Sequence, residues 1–272
     1  MSPARPQTLS VATWVYGRTQ ADDDPTESFH EASRLYPNVF DADLPGGSLL
    51  LRSAELRASA ARAVRRRTGL ACVELPAPLA IGERLDAVIA RRRSTRSYGP
   101  SPISLAELAT LLTASYGVTG AVEDVEQPLR AVPSGGALYP LELYVAALRV
   151  DGLDTALYHY DPLRDVVERI RPLSASDLTS LTPYDELLVP SAAVTFLTAV
   201  FWRSRFKYGA RSYRFSLLEA GHAAQNHLLA ATALGLASCP VGGFYDRKVD
   251  NLLGIDGVYE ASLYVLPVAG RA

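Results

Sequence analysis

Phe201-Trp202-Arg203-Ser204-Arg205-Phe206-Lys207-Tyr208-Gly209-Ala210-Arg211-Ser212-Tyr213-Arg214-Phe215 leads directly into the longest apolar-periodic run of the chain, which extends to Leu234 and Gly235. The run predicts a long buried helix over about 213–234, with Gly235 as its left-handed cap. Glu219, His222, Gln225, Asn226 and His227 interrupt it, which suits a core helix and argues against a membrane span. In the quoted stretch, Lys207 and Tyr208 form an amine–phenol pair among Arg203, Arg205, Arg211 and Arg214. Crowded cations disfavour one more positive charge, which makes Lys207 a candidate general base near neutrality. The same residues also suit a solvated basic turn.

Working outward, strands and helices alternate. Residues 83–93 carry Leu85, Val88 and Ile89 at helical spacing. Ser104 and Glu107 form a capping box stapled by Ile103 and Leu108, and that helix runs towards Gly117. Residues 141–150, 157–161, 193–201 and 259–268 read as strands, with a turn at Asp161-Pro162 leading into Val166-Val167. This pattern predicts an α+β sandwich on a mixed sheet. Upstream, residues 1–28 read as a loosely held polar arm containing Asp22-Asp23-Asp24. Residues 48–67 have helical spacing and end in Arg65-Arg66-Arg67. The expected division is an arm and accessory helical segment over 1–80 and a main domain over 81–272.

With 272 residues, 48% hydrophobic and 21% charged, the chain has the composition of a globular protein with a sizeable core. A net charge of −2 gives no reason to expect nucleic acid or membrane as partner. Cys72 and Cys239 are too few for a disulfide framework, so a reducing cytoplasm is expected. The four histidines show no metal-ligand spacing, and no metal is expected. His222 and His227, five apart, read as packing or polar-contact residues.

Three further segments carry ligand chemistry. In Arg91-Arg92-Arg93-Ser94-Thr95-Arg96, guanidinium forks alternate with hydroxyls, which suits phosphate. Three arginines at a helix end also complement the macrodipole. Pro133-Ser134-Gly135-Gly136 and Pro240-Val241-Gly242-Gly243 allow a planar ligand to approach the backbone closely, and each also suits a plain turn. Neither G-x-G-x-x-G nor a P-loop lysine motif occurs, which argues against a Rossmann or nucleoside-triphosphate site.

In order and spacing, these segments over residues 82–272 resemble the FMN-dependent nitroreductase-like superfamily. PSGGALYPLE and FKYGARSYR resemble its SagB/ThcOx/McbC-type branch of azoline dehydrogenases. The resemblance implies a three-layer FMN-binding sandwich, an interlocked homodimer with flavin at the interface, and FMN as cofactor. It implies that Arg92, Arg93, Ser94 and Arg96 grip the phosphate and ribityl chain, with Arg271 reaching the phosphate. Pro133, Ser134 and Gly135 correspond to the Pro-Ser loop. Pro240, Val241, Gly242 and Gly243 lie along the flavin ring, and Gln225 supplies a polar contact. Lys207 and Tyr208 match the catalytic pair. The implied reaction is oxidation of peptide thiazoline or oxazoline rings to thiazole or oxazole in ribosomal peptide natural-product biosynthesis, with an azoline-containing precursor peptide as substrate and a cyclodehydratase complex as further partner. Two alternatives remain open: an NAD(P)H-dependent nitro- or quinone reductase, and a non-catalytic scaffold subunit.

Overall fold

In a computed structural model of the chain, residues 25–35, 49–50, 52–65, 67, 69–122 and 127–271 are described. Most of the expected arm, Leu51 and Arg66 lie outside these residues. The helices are α1 (Pro25–Ala32), α2 (Ala54–Ala61), α3 (Leu85–Arg91), α4 (Leu105–Tyr116), α5 (Asp185–Leu188), α6 (Trp202–Tyr208), α7 (Arg211–Ala233) and α8 (Asp246–Leu253). The strands are β1 (Cys72–Glu74), β2 (Ile103–Ser104), β3 (Val118–Val122), β4 (Gln127–Arg130), β5 (Leu141–Ala147), β6 (Val150–Asp151), β7 (Ala156–Asp161), β8 (Val166–Pro172), β9 (Ala193–Val200), β10 (Ala237–Ser238) and β11 (Glu260–Ala269).

A seven-stranded sheet in the order β1-β8-β7-β5-β9-β11-β10 forms the middle layer. Its centre is covered on both faces: every residue of β5 is buried, and β9 is buried up to Val200. Alternation along the strands then sorts side chains into two cores. Leu141, Leu143 and Val145 join α4 and α7 on one face. Tyr144, Ala146, Val194 and Phe196 join α5 and α8 on the other. This is the expected three-layer α+β sandwich. Neighbours in the large sheet all pair antiparallel, and parallel pairing is confined to the short β2–β6 pair.

Local signals acted as read at α4. The Ser104 hydroxyl accepts from the Glu107 amide at 3.2 Å, the Glu107 carboxylate accepts from the Ser104 amide at 2.7 Å, and Ile103 and Leu108 are fully buried. Gly235 ends α7 at φ +74°, and the Leu236 amide donates to the Ala231 carbonyl at 2.8 Å. In α3, only Val88 is buried, while Leu85 and Ile89 face outward.

The region upstream of residue 80 is tied to the rest. β1 lies within the segment assigned to the N-terminal arm and accessory region, yet it pairs with β8 at the sheet edge. Residues 25–28, read as loose arm, begin helix α1. Arg211 and Arg214 donate to the Ser33 carbonyl (3.3 Å), the Ser33 hydroxyl (2.8 Å) and the His30 carbonyl (2.6 Å), and Phe29 meets Tyr213 edge-on at 5.3 Å.

Candidate functional site

Lys207 and Tyr208 end α6, a seven-residue helix closed by Gly209 at φ +53°. The turn read as basic and solvated is therefore helical. Both side chains reach the Pro-Ser loop, where Gly136 sits at φ +69°. A Cβ added to Gly136 would lie 2.5 Å from Lys207 Nζ and 2.7 Å from Tyr208 Oη. A Cβ on Gly135 would lie 3.1 Å from the Phe215 ring and 3.6 Å from Tyr208. Tyr208 and Phe215 pack edge-on at 5.0 Å. Two segments far apart in sequence thus converge, and a side chain at either glycine would have to displace a neighbour.

The arginines do not crowd this amine, contrary to the sequence expectation. Arg203 pairs with Glu142, Arg205 lies 5.0 Å from the Trp202 ring, and Arg211 and Arg214 hold the α1 region. Helical periodicity distributes the four around α6 and α7, where each finds an acceptor or an aromatic face. A crowd of cations is thus no argument for Lys207 as base; its placement is.

Beneath the loop is a glutamate that the sequence marks only as an interruption of the apolar run. Glu219 is buried on α7 and accepts from the Tyr116 hydroxyl at 2.5 Å. Burial pushes its carboxyl up to about 7, while hydrogen bonds from Ser134 and Tyr116 and the charge of Arg130 pull the other way. The Ser134 hydroxyl, expected to face a ligand, also accepts from the Tyr139 amide at 3.0 Å. An acid within an apolar helical run was the available signal.

The second group of expected residues assembles elsewhere. Arg96 lines a cavity of about 380 Å³ with Cys239, Pro240, Val241, Gly242 and Gly243, beside Tyr184 and Glu186. The Thr95 amide donates to the Ser238 carbonyl at 2.9 Å, and Gly99 to Gly270 at 2.8 Å, with a bridge between Tyr98 and Arg271. These backbone bonds bring the arginine loop, the Gly242-Gly243 loop and the terminal Gly-Arg to one end of the sheet. The Gly242 and Gly243 backbones are exposed, and a Cβ on either would meet only a tyrosine ring at 3.9 Å. The Tyr98 hydroxyl, next to Arg96 and Cys239, is buried without a hydrogen-bond partner among the described residues. Exposed glycine backbone and a guanidinium around a cavity of this size fit a phosphate-bearing planar cofactor.

Other candidates do not join this group. The Arg93 guanidinium turns back onto the carbonyls of Ala90 (3.0 Å) and Arg92 (2.7 Å), serving its own helix end. Gln225 is exposed, and its neighbour Asn226 donates to the Ala114 carbonyl at 3.1 Å. His227 is buried with Nδ1 3.2 Å from the Ser115 hydroxyl, and burial holds it down at about 4. No group of metal-ligating side chains occurs among the described residues.

The two groups lie towards opposite ends of α7. Phe215 packs on the Pro-Ser loop, while the Thr232 carbonyl accepts from Arg91 at 3.3 Å. Helical rise separates Phe215 and Thr232 by about 25 Å.

The nitroreductase family model matches residues 89–271. A protein of Methanocaldococcus jannaschii named as a nitroreductase is 37% identical over 189 residues, 69% of this chain and 91% of that protein. The microcin B17-processing protein McbC of Escherichia coli is 34% identical over 143 residues, 50% of this chain and 52% of McbC, so the match spans about half of each. A crystal structure of a protein named as a nitroreductase from Anabaena variabilis superposes with a TM-score of 0.69 at 25% identity, covering 90% of this chain and 47% of that one. The chain belongs to the nitroreductase family, and with it to the oxidoreductases.

Proposed function

We propose that the protein is an FMN-dependent dehydrogenase that oxidises thiazoline or oxazoline rings in a peptide to thiazole or oxazole. The observation that carries this reading is the convergence of Lys207 Nζ and Tyr208 Oη over Gly136. The kinship with McbC, named for microcin processing, supports a peptide as substrate.

Arg92, Arg96 and Arg271 would hold the FMN phosphate, and the amides of Gly242 and Gly243 would face its ring. When bound, FMN supplies the two-electron acceptor. Oxidation takes a proton from Cα and a hydride, carrying both electrons, from the neighbouring ring carbon, leaving a new carbon–carbon double bond. The Cα proton, acidified by the neighbouring imine and carbonyl, passes to Lys207 Nζ as general base. Tyr208, braced by Phe215, orients the ring and keeps the amine on the loop side. Glycine at 136 lets the substrate backbone approach both groups.

Because the phosphate-binding and proton-accepting groups stand towards opposite ends of α7, a homodimer that joins one group from each protomer is part of this proposal. Leu217 and Leu218, exposed on α7, are the apolar surface it would cover. A precursor peptide and a cyclodehydratase complex are the further partners proposed. Among the described residues, no helix is long and apolar enough to cross a membrane. Two free cysteines fit a reducing compartment.

The test is anaerobic mixing of the as-isolated protein with a thiazoline-containing peptide, following the flavin band near roughly 450 nm and product mass. Bleaching with a loss of about 2 Da per ring, reversed by air, is the expected result. A flavin that bleaches with NADPH but not with peptide would replace the proposal with a nitro- or quinone-reductase reading.

A further inference from the structure

Glu142 ends the Pro-Ser loop sequence and enters β5 with its side chain 1% exposed. Its carboxylate accepts from the Arg203 guanidinium, from the Arg65 amide at 2.7 Å and from His159 Nε2 at 2.7 Å. Arg65 continues outward to Glu260, which also takes the Tyr144 hydroxyl at 2.8 Å and the Thr198 hydroxyl at 2.7 Å. Burial alone would push the Glu142 carboxyl up, but Arg203 and His159 outweigh it and hold it at about 2. It is therefore a permanent anion at working pH.

We infer that Glu142 is the positioning residue of Lys207, and that Arg65, upstream of the family-matched region, completes the device. The inference rests on the dehydrogenase reading for its catalytic consequence only. Helix α6 is seven residues long and its N-cap, Phe201, offers no side-chain cap. A helix so short holds its place by tertiary contacts rather than by propensity. Arg203 and Lys207 are i and i+4 on one face, so the point that anchors Arg203 sets the track of Lys207. Arg203 also donates to the Tyr139 carbonyl at 3.4 Å, within the same loop that carries Gly136. One carboxylate thus binds the helix bearing the amine to the strand bearing the loop. The Arg65 amide donates to the same carboxylate oxygen as Arg203, and His159 holds the other. Without the carboxylate, Arg203 is left as a largely buried, uncompensated cation that must move towards solvent, taking the first turn of α6 with it.

The chain has only two lysines, Lys207 and Lys248, so amine labelling of the holoprotein reads Lys207 against an internal reference. The experiment compares wild type with Glu142→Gln by competitive acetylation across a pH series, quantified by mass spectrometry, alongside turnover of a thiazoline peptide. The expected result is a changed Lys207:Lys248 labelling ratio and kcat lowered about 100-fold, with KM and flavin content within about twofold of wild type. In a Lys207→Ala background the same Glu142 change is expected to have no further effect on residual turnover. Equal losses in both backgrounds, or an unaltered labelling ratio, would overturn the inference. Should Glu142→Gln fail to fold, Arg203→Lys keeps the charge but not the fork. An intermediate labelling shift is expected there, and none would overturn the inference. A labelling shift in a protein whose wild type turns over no azoline would retain the positioning role and reject the dehydrogenase reading instead.

Discussion

Lys207 Nζ occupies the space that a side chain on Gly136 would need: an added Cβ would stand 2.5 Å from it. The approach joins a strand-entry loop to a helix end, and the helix is held by one buried carboxylate. Gly136→Ala should displace the amine and lower azoline turnover about 100-fold. The positive φ adds about 1 kcal/mol of strain, visible as a modest fall in Tm. Flavin content should change little. Wild-type turnover in this variant would separate the close approach from catalysis.

Lys207→Ala should cut turnover to a small residual rate while leaving flavin bound, since the amine lies on the Pro-Ser loop and outside the arginine cavity. The absorbance ratio of the purified variant checks this. Loss of flavin would make Lys207 a structural cation.

The three neighbouring arginines should behave differently. Arg92→Ala combined with Arg96→Ala should release flavin, because phosphate charge is left unmatched. Arg93→Ala should keep it, because that guanidinium serves the carbonyls at the end of α3. Flavin content of the two proteins, purified side by side, decides the point.

Mixing the Lys207→Ala protein with the Arg92→Ala, Arg96→Ala protein tests the shared site. If each flavin site takes its cations from one protomer and its amine from the other, subunit exchange restores about a quarter of wild-type sites. Two proteins that remain inactive after demonstrated exchange would place each complete site within one chain.

Glu219 gives stability a pH dependence of defined sign. Burial raises its carboxyl to about 7 in the folded protein, against an ordinary glutamate value of 4.5. Between these values the folded state holds a proton that the unfolded state has lost, so stability falls as pH rises through the window. The shift corresponds to about 3 kcal/mol at most. Glu219→Gln should flatten this part of a denaturation series run from pH 4.5 to 7. An unchanged slope would mean that Glu219 is not the group responsible.

Much of the fold was legible because its signals are local. The Ser104–Glu107 box, the Gly235 cap and the apolar runs of β5, β9 and β11 depend on residues within a few positions of one another. The candidate site was legible as motifs, and its arginine and glycine loops do meet at one cavity. What could not be read was the destination of long side chains. Nothing nearby in sequence indicates that Arg203 finds Glu142, that Arg93 folds back on its own helix, or that Arg214 holds the α1 region. Nor does an acid within an apolar helix announce Tyr116 as its donor.

The sequence by itself therefore determined the layers, the helix ends and the residue types available for phosphate, ring and proton chemistry. These follow from hydrophobic periodicity, capping and side-chain functional groups, which act over one or two turns of chain. Tertiary structure alone decided which charges neutralise one another, how Lys207 comes to stand over Gly136, and that the two halves of the expected site lie towards opposite ends of one helix. Such pairings join residues tens of positions apart, and only the packed sheet brings their side chains within a few ångströms.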